Sequence, residues 1–267
     1  MIRPVDTDAL GVERVTGQVD LTIAHPARVY DYLLGGQDNW PADREVAERV
    51  ASLVPGTRDE VRANREFLGR AVRYAAEQGV TRFLDIGTGI PTVGPTHEIA
   101  QSVHPDARVV YVDNDPIVLT HARAMLVNDD LTCVVQADAR EPGTILDHPQ
   151  TRRLLDLGEP VALMFVALLH FITDRDLDGL VERYTRALAP GSHLIISHAL
   201  QSPVADAARP AYKTSAQVTP RSRERIAGLF GDWDLVEPGV VPVGEWHPDR
   251  TDGPRSVHMY GGVAVKR

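Results

Sequence analysis

The stretch FLDIGTGIPT, residues 83 to 92, runs out of an apolar strand into a turn spaced by two glycines and halts at a proline. In a doubly wound sheet, ligands sit beyond the carboxyl ends of the strands, and the first strand-to-helix turn forms one wall of that crevice. Gly87 and Gly89 carry no Cβ, so the backbone can bend sharply there and a ligand can lie against the peptide planes. A pyrophosphate-binding turn needs helix N-terminal amides close by and uses a third glycine for tight helix packing. Thr92 stands in that third place, and Pro91 before it has no N–H to offer. Asp85, two residues before Gly87, is a further objection to a phosphate, because two like charges side by side cost Coulomb energy. The same carboxylate favours a ligand carrying ammonium or sulfonium charge.

On either side of the turn the texture is that of an α/β chain. From Val80 onward short apolar strands, TRFLDI, ARVVYVD, LTCVVQAD, PVALMFV and SHLIISHAL, alternate with helical stretches, which is the pattern of a parallel sheet covered by helices. Crossover helices are predicted at about 93–104, 116–127, 142–156 and 174–189, each long enough for a right-handed connection. The end of the chain, WDLVEPGVVPV and SVHMYGGVAV, predicts two more strands, an antiparallel pair closing a sheet of seven. Between Leu200 and the helical stretch RSRERIAGLF lies a long polar and small-residue segment, 201–218, of the kind that serves as a lid.

The first 78 residues read as helical. PARVYDYLL, 26–34, opens on a proline suited to the first turn and closes at Gly35-Gly36. PADREVAERVASLV, 41–54, repeats the device and is broken by Pro55-Gly56, and a long helix over about 58–78 follows, with Thr57 as its cap and Phe67, Leu68, Ala71, Val72 and Ala75 on one face. The division predicted is an N-terminal arm and helical cap over 1–78 and a core over 79–267. The fold class is α/β, a Rossmann-like doubly wound sheet, parallel with an antiparallel C-terminal strand.

The whole chain sets bounds on partners. A length of 267 residues with 43% apolar content suits one domain with a cap. Net charge −9 argues against a broad footprint on nucleic acid or an anionic membrane, both of which need a basic surface. The N-terminus has no leader-like apolar core and no run approaches the ~20 apolar residues of a membrane span, so a cytoplasmic location is expected. Cys133 is the single cysteine and sits in an apolar run, the place of a small buried hydrophobe. The ten histidines are scattered, with neither H-E-x-x-H nor paired cysteines, and no metal site is legible.

Acidic residues recur at strand ends. Asp113, in VVYVDNDP, is placed to accept both hydroxyls of a ribose, while Asp115, just before Pro116, suits the cap of the next helix. Asp138, in VVQADAR, can accept from an exocyclic amine such as that of adenine. Three carboxylates at successive strand ends outweigh the reading of each as a solvated surface charge.

FLDIGTGIPT, VVYVDNDP and VVQADAR together resemble the first three motifs of class I S-adenosylmethionine-dependent methyltransferases. The head segment ARVYDYLLGGQDNWPADRE with RANREFLGRAVR is similar to a bacterial S-adenosyl methyltransferase family whose acceptors are unassigned, which extends the resemblance to nearly the whole chain. The resemblance implies S-adenosyl-L-methionine as cofactor. It implies that Gly87, Thr88 and Gly89 pass under its methionine part, that Asp113 with Asn114 holds the ribose, that Asp138 and Ala139 face the adenine with Val166 nearby, and that Asp85 sits near the amino group. By analogy with capped methyltransferases, Tyr32 and Arg65 would reach the cofactor carboxylate, and the segment around Gly35-Gly36 with Tyr30, Asp38, Asn39 and Trp40 would roof the site. Pro91 departs from the pattern, since a small residue is usual there.

Methyl transfer from a sulfonium needs alignment and a dry pocket more than a base. Should the acceptor need to lose a proton, His170, in VALLHFI just beyond the fourth strand, is the best-placed catalytic residue, with His97 second. The DNA amino-methyltransferase signature, Asn or Asp before Pro-Pro and an aromatic, is absent after the fourth strand. The expected activity is therefore methylation of the oxygen or nitrogen of a small molecule such as a specialised metabolite, by a protein whose oligomeric state is open. The alternatives are a non-catalytic cofactor-binding regulator and, disfavoured by Pro91 and Thr92, a nicotinamide-dependent oxidoreductase.

Overall fold

The protein is described from a computed structural model covering residues 20–91, 94–125, 130–249, 253 and 256–267. Thr92 and the arm expected at the N-terminus, up to residue 19, lie outside the described residues, as do residue 93 and residues 126–127 at the ends of two expected helices.

Three helices open the chain: α1 (Pro26–Leu34), α2 (Pro41–Leu53) and α3 (Thr57–Glu77). Pro26 and Pro41 stand at the first helical positions, where the missing N–H costs nothing. α1 ends at Gly35, φ 88°, whose N–H returns to the carbonyl of Tyr32. α3 is capped by Gly56 and not by Thr57, because the chain turns at φ 83°, a conformation that suits glycine.

Then come β1 (Arg82–Ile86), α4 (Thr96–Val103), β2 (Arg108–Asp113), α5 (Pro116–Met125), β3 (Thr132–Gln136), α6 (Pro142–Leu146), α7 (Pro149–Leu154), β4 (Ala162–Val166), α8 (Asp174–Leu177), α9 (Leu180–Thr185) and β5 (His193–Ala199). The helix expected at 142–156 is split by Pro149, which starts α7 afresh, and the one at 174–189 is split at Gly179, φ 68°. α10 (Pro203–Ala208), capped by the Ser202 hydroxyl, lies inside the segment expected to be an irregular lid, and α11 (Arg223–Gly228) follows. The sixth predicted strand is two short ones, β6 (Asp234–Leu235) and β7 (Val241–Pro242), before the closing β8 (Met259–Val265).

The sheet therefore has eight strands, in the order β3-β2-β1-β4-β5-β8-β6, with β7 also on β8. β1 to β5 pair in parallel and β8 runs antiparallel to β5. The chain leaves β1 toward β2 on one side and returns to β4 on the other, so the order reverses beside β1 and opens a crevice at the carboxyl ends of β1, β2 and β4.

Strand alternation divides the core. Leu84 and Ile86, with Val110, Val112, Leu163 and Phe165, face one layer, and Phe83, with Val109, Tyr111 and Met164, faces the other, where Phe67, Ala71, Val72 and Ala75 of α3 pack. Phe67 is fully buried, worth roughly 1.5–3 kcal/mol in transfer terms. α1 and α2 form a third, smaller cluster around Val29, Leu33, Val46 and Ala47 with Val61. Tyr212, from the segment after α10, packs on that cluster, and Ser215 N–H donates to the Ala24 carbonyl at 2.9 Å. That segment thus ties α1 and α2 to the sheet across the crevice. Among the described residues no helix is long and apolar enough to cross a membrane.

Candidate active site

A cavity of about 810 Å³ occupies the crevice. Its floor is the glycine turn after β1. Gly87, φ 70°, and Gly89, φ 63°, bend the chain back so that the N–H groups of Gly87 and Thr88 both donate to the Val112 carbonyl of β2, at 2.7 and 3.2 Å. A Cβ on Gly87 would lie 2.5 Å from Leu168 Cδ1, whereas one on Gly89 would meet nothing within 4 Å. The turn is therefore packed from beneath and open toward the cavity, a cradle for a ligand lying on the backbone.

Carboxylates ring this floor. Asp85, buried at the end of β1, accepts from Thr96 Oγ1 at 2.7 Å and Thr88 Oγ1 at 3.3 Å, and burial pushes its carboxyl above the usual range. Asp113, at the end of β2, accepts from the N–H groups of Gly89 and Asp115, each at 2.9 Å; burial raises it as well, against those two bonds. Each oxygen keeps a free lone pair for a hydroxyl. Asp138 is gripped by its own neighbour Arg140, whose Nε lies 2.9 Å from Oδ1, and these bonds hold it below the ordinary carboxylate value. Asn114, Ala139 and Val166 also line the cavity. Arg65, on α3, lines it too and donates from Nη2 to the Gly94 carbonyl at 3.2 Å, pinning the loop after the turn.

Asp115 begins α5 by accepting from Ile117 N–H at 2.9 Å. Its other oxygen lies 3.6 Å from Nε of Arg28, a fully buried guanidinium on α1 whose Nη1 is 3.7 Å from Asp43. His25 Nδ1 is 3.0 Å from the same Asp115 oxygen, yet it also accepts from Ala27 N–H, so in the neutral ring it has no proton to give there. This buried polar seam joins the first helices to the wall of the cavity at the start of α5.

β4 delivers the far wall. Val166 is followed by Ala167 in the left-handed region, φ 54°, which is strained for a residue with a Cβ. Ala167 N–H is clamped by Ser197 of β5, to the hydroxyl at 2.9 Å and to the carbonyl at 3.2 Å. The single turn Leu169–Phe171 then presents His170, whose Nδ1 accepts from Ala199 N–H at 3.3 Å. Burial, His198 and the Arg221 guanidinium hold the His170 imidazole well below its ordinary value. The ring is neutral, and with Nδ1 already engaged its proton sits on Nε2. In this arrangement His170 offers a donor to the cavity and is poorly set to act as a base.

Tyr32 does not line the cavity. Its hydroxyl donates to Glu48 at 2.6 Å and its ring lies beneath Arg58, on the outer face of α1. Two residues along a helix turn the side chain by about 200°, so it is Tyr30 that faces inward. Asp38, Asn39 and Trp40 do not line the cavity either. The head motif is a clasp: buried Asp31 accepts from Asp38 N–H at 2.9 Å and Asn39 Nδ2 at 2.8 Å, and Gly36 lies so close that a Cβ would come within 2.0 Å of Asp31 Oδ1. His97 bonds the Tyr111 hydroxyl at 2.8 Å, away from the cavity. Asn64 and Glu60 went unread in the sequence although both interrupt the apolar stripe of α3 one turn apart, the mark of a buried polar function on a packed face. Glu60 binds the N–H groups of Val257, His258 and Met259 and the Ser256 hydroxyl, fixing the start of β8.

Sheet order, reversal point and phosphate-free glycine turn define a class I methyltransferase fold with S-adenosylmethionine as its cofactor. The residues fit that group: an open glycine cradle, a buried carboxylate at the end of β2 and, among the described residues, no lysine or arginine on the glycine turn itself. The chain belongs to the S-adenosyl methyltransferase family, whose model matches residues 13–267. A provisionally assigned methyltransferase from Thermobifida fusca YX superposes with a TM-score of 0.89 at 43% identity, covering 93% of this chain and 97% of its own. A DUF574 family protein from Streptomyces avermitilis MA-4680 gives 0.89 at 42% identity, over 95% of this chain and 100% of its own. The plantazolicin methyltransferase, crystallised with S-adenosylhomocysteine and a triazolic desmethylPZN analogue, shares the fold at a TM-score of 0.53 and 11% identity, over 90% and 95% of the two chains. No curated protein matches the chain.

Proposed function

We propose that this protein methylates an oxygen or nitrogen of a small molecule inside the roofed cavity, as a cytoplasmic enzyme that does not act on nucleic acid or membranes. The observation that carries the acceptor reading is the roof. Helices α1 and α3 and the segment carrying Tyr212 and Ser215 close over the crevice, leaving a space sized for the cofactor and a compact second molecule. In this reading residues 1–78 are a cap and 79–267 the catalytic core.

When bound, S-adenosylmethionine supplies a methyl group activated on sulfonium; the acceptor's lone pair forms the new C–O or C–N bond as the C–S bond breaks, leaving S-adenosylhomocysteine and a proton for solvent. The chain's own residues then have four tasks. Gly87, Thr88 and Gly89 hold the cofactor's methionine part on open backbone. Asp113 and Asn114 take the ribose, and Asp138 and Ala139 the adenine edge, with Val166 beneath. Asp85, kept in place by Thr96, and Arg65 complete the amino-acid end. His170 and the strained Ala167 border the space beyond β4, where exclusion of water lets alignment lower the barrier.

Methyl-labelled S-adenosylmethionine should be incubated with the protein and, separately, with a low-mass extract, a protein extract and nucleic acid. Label in the low-mass fraction, abolished in Asp113→Ala, is the expected outcome. Label confined to protein or nucleic acid would overturn the acceptor reading.

A further inference from the structure

One hydrogen-bonded line crosses the site and includes none of the residues assigned above to the cofactor. It begins at the strained end of β4, where Ala167 N–H donates to Ser197 Oγ at 2.9 Å. Ser197 Oγ donates to Asn64 Oδ1 at 2.5 Å, Asn64 Nδ2 donates to Tyr30 Oη at 2.9 Å, and Tyr30 Oη donates to the Val61 carbonyl at 3.0 Å. Three separate elements, β5, α3 and α1, are joined by it, and Asn64 and Ser197 are fully buried. Each side-chain donor in the line has one partner and the directions are forced: Val61 O can only accept, so the tyrosine proton points there, and the Asn64 amide must turn Nδ2 toward the tyrosine.

Counting what remains is informative. A phenolic hydroxyl has one proton and two lone pairs; the proton is spent on Val61, one lone pair on Asn64, and a single lone pair is left. Tyr30 lines the cavity and can therefore offer a ligand an acceptor only. Phe171 and Tyr212, stacked 5.8 Å apart, form an aromatic wall of the same cavity, and Arg65, the cation whose charge acts on Tyr30, is engaged by the Gly94 carbonyl and, in the reading above, by the cofactor's amino-acid end. Glu60, the carboxylate nearest in α3, has its oxygens taken by four donors, and Arg209 is exposed at the mouth.

We propose that Tyr30, set by Asn64 and Ser197, is the residue that selects the acceptor, by taking a hydrogen bond from a neutral O–H or N–H at the reacting end of an apolar molecule. Carboxylates and ethers, which have no proton to donate, are refused by the same lone pair. The inference rests on the reading of this cavity as a cofactor and small-acceptor site. Tyr30 orients the nucleophile, whose released proton passes to solvent, and the tyrosine stays neutral throughout.

Three fluorescent probes of one shape test it: 2-naphthol, 2-methoxynaphthalene and 2-naphthoate, titrated into full-length protein saturated with S-adenosylhomocysteine. The wild type should prefer 2-naphthol over the other two. In Tyr30→Phe the ratio of 2-naphthol to 2-methoxynaphthalene affinity should fall at least fivefold, with 2-methoxynaphthalene itself little changed, which also certifies the variant's fold. Asn64→Ser, which leaves the hydroxyl but unfixes it, should lose part of the preference. A ratio unaltered in Tyr30→Phe, tightest binding of 2-naphthoate, or failure of all three probes to bind the loaded protein would overturn the proposal. Failure of S-adenosylhomocysteine itself to bind would instead overturn the reading beneath it.

Discussion

Replacing Gly87 by alanine tests the floor of the site, and Gly89→Ala is its internal control. Both positions sit in the left-handed region, φ 70° and 63°, so each substitution carries a backbone cost of about 1–2 kcal/mol. They differ in what the new methyl meets. At Gly87 it would fall 2.5, 2.7 and 2.9 Å from three carbons of Leu168, and at Gly89 it meets nothing within 4 Å. Carbon atoms prefer about 3.5–4.0 Å, so Leu168 must leave its place at a further cost of about 1–2 kcal/mol. Gly87→Ala is therefore expected to lose about 2–4 kcal/mol and Gly89→Ala about 1–2, or roughly 5–15 °C and 2–8 °C in thermal midpoint for a chain of this size. Leu168 lines the cavity, so its displacement should also weaken S-adenosylhomocysteine at least tenfold by calorimetry, about 1.4 kcal/mol. Adding Leu168→Ala to Gly87→Ala should return most of the excess loss, since touching residues couple. Equal losses for the two glycine variants, or no recovery in the double variant, would refute the packing argument.

Two further outcomes are expected. Gly36→Ala should break the Asp31 clasp, because its methyl would sit 2.0 Å from Oδ1; freeing the Asp38 and Asn39 donors costs about 2–4 kcal/mol, while cofactor affinity, measured on the folded fraction, should stay within about threefold because the clasp does not line the cavity. Stability should also fall in mild acid. Burial holds His198 at about 4 and lowers His170 and His193, whereas the unfolded chain titrates near 6.5. Between those values the unfolded state binds more protons, so stability is fully present above pH 6.5 and is lost as pH falls toward 4. His198 alone contributes on the order of 2 kcal/mol by pH 5, and the raised carboxyls of Asp85 and Asp113 act in the opposite direction. A guanidinium midpoint that stays level or rises from pH 7.5 to 5.0 would contradict this balance.

Much of the site was legible because its logic is local. The glycines, Asp85, Asp113 and Asp138 lie at strand ends whose spacing the apolar runs reveal, and all of them line the cavity. Asp115 was readable as a cap for the same reason: its partner, Ile117, is two residues away. Asn64 carried a faint signal, a polar residue on a buried stripe, but its partners Ser197 and Tyr30 are 133 and 34 residues distant. Tyr32 and Tyr30 looked alike in a motif with two aromatics, and which one turned inward depended on how α1 docks.

The sequence by itself determined the order of the five parallel strands and the place of the glycine turn, because periodicity and turn chemistry are written within a few residues of one another, and the family and cofactor class followed from the resemblance that its motifs carry. Only the tertiary structure decided that the part of the head motif from Gly36 to Asn39 is a clasp on Asp31, that the last predicted strand but one is two pieces on β8, and that a line of hydrogen bonds joins α1 to the end of β4. Those depend on contacts between residues far apart in the chain, whose directions are set by packing and by the demand that every buried polar atom find a partner.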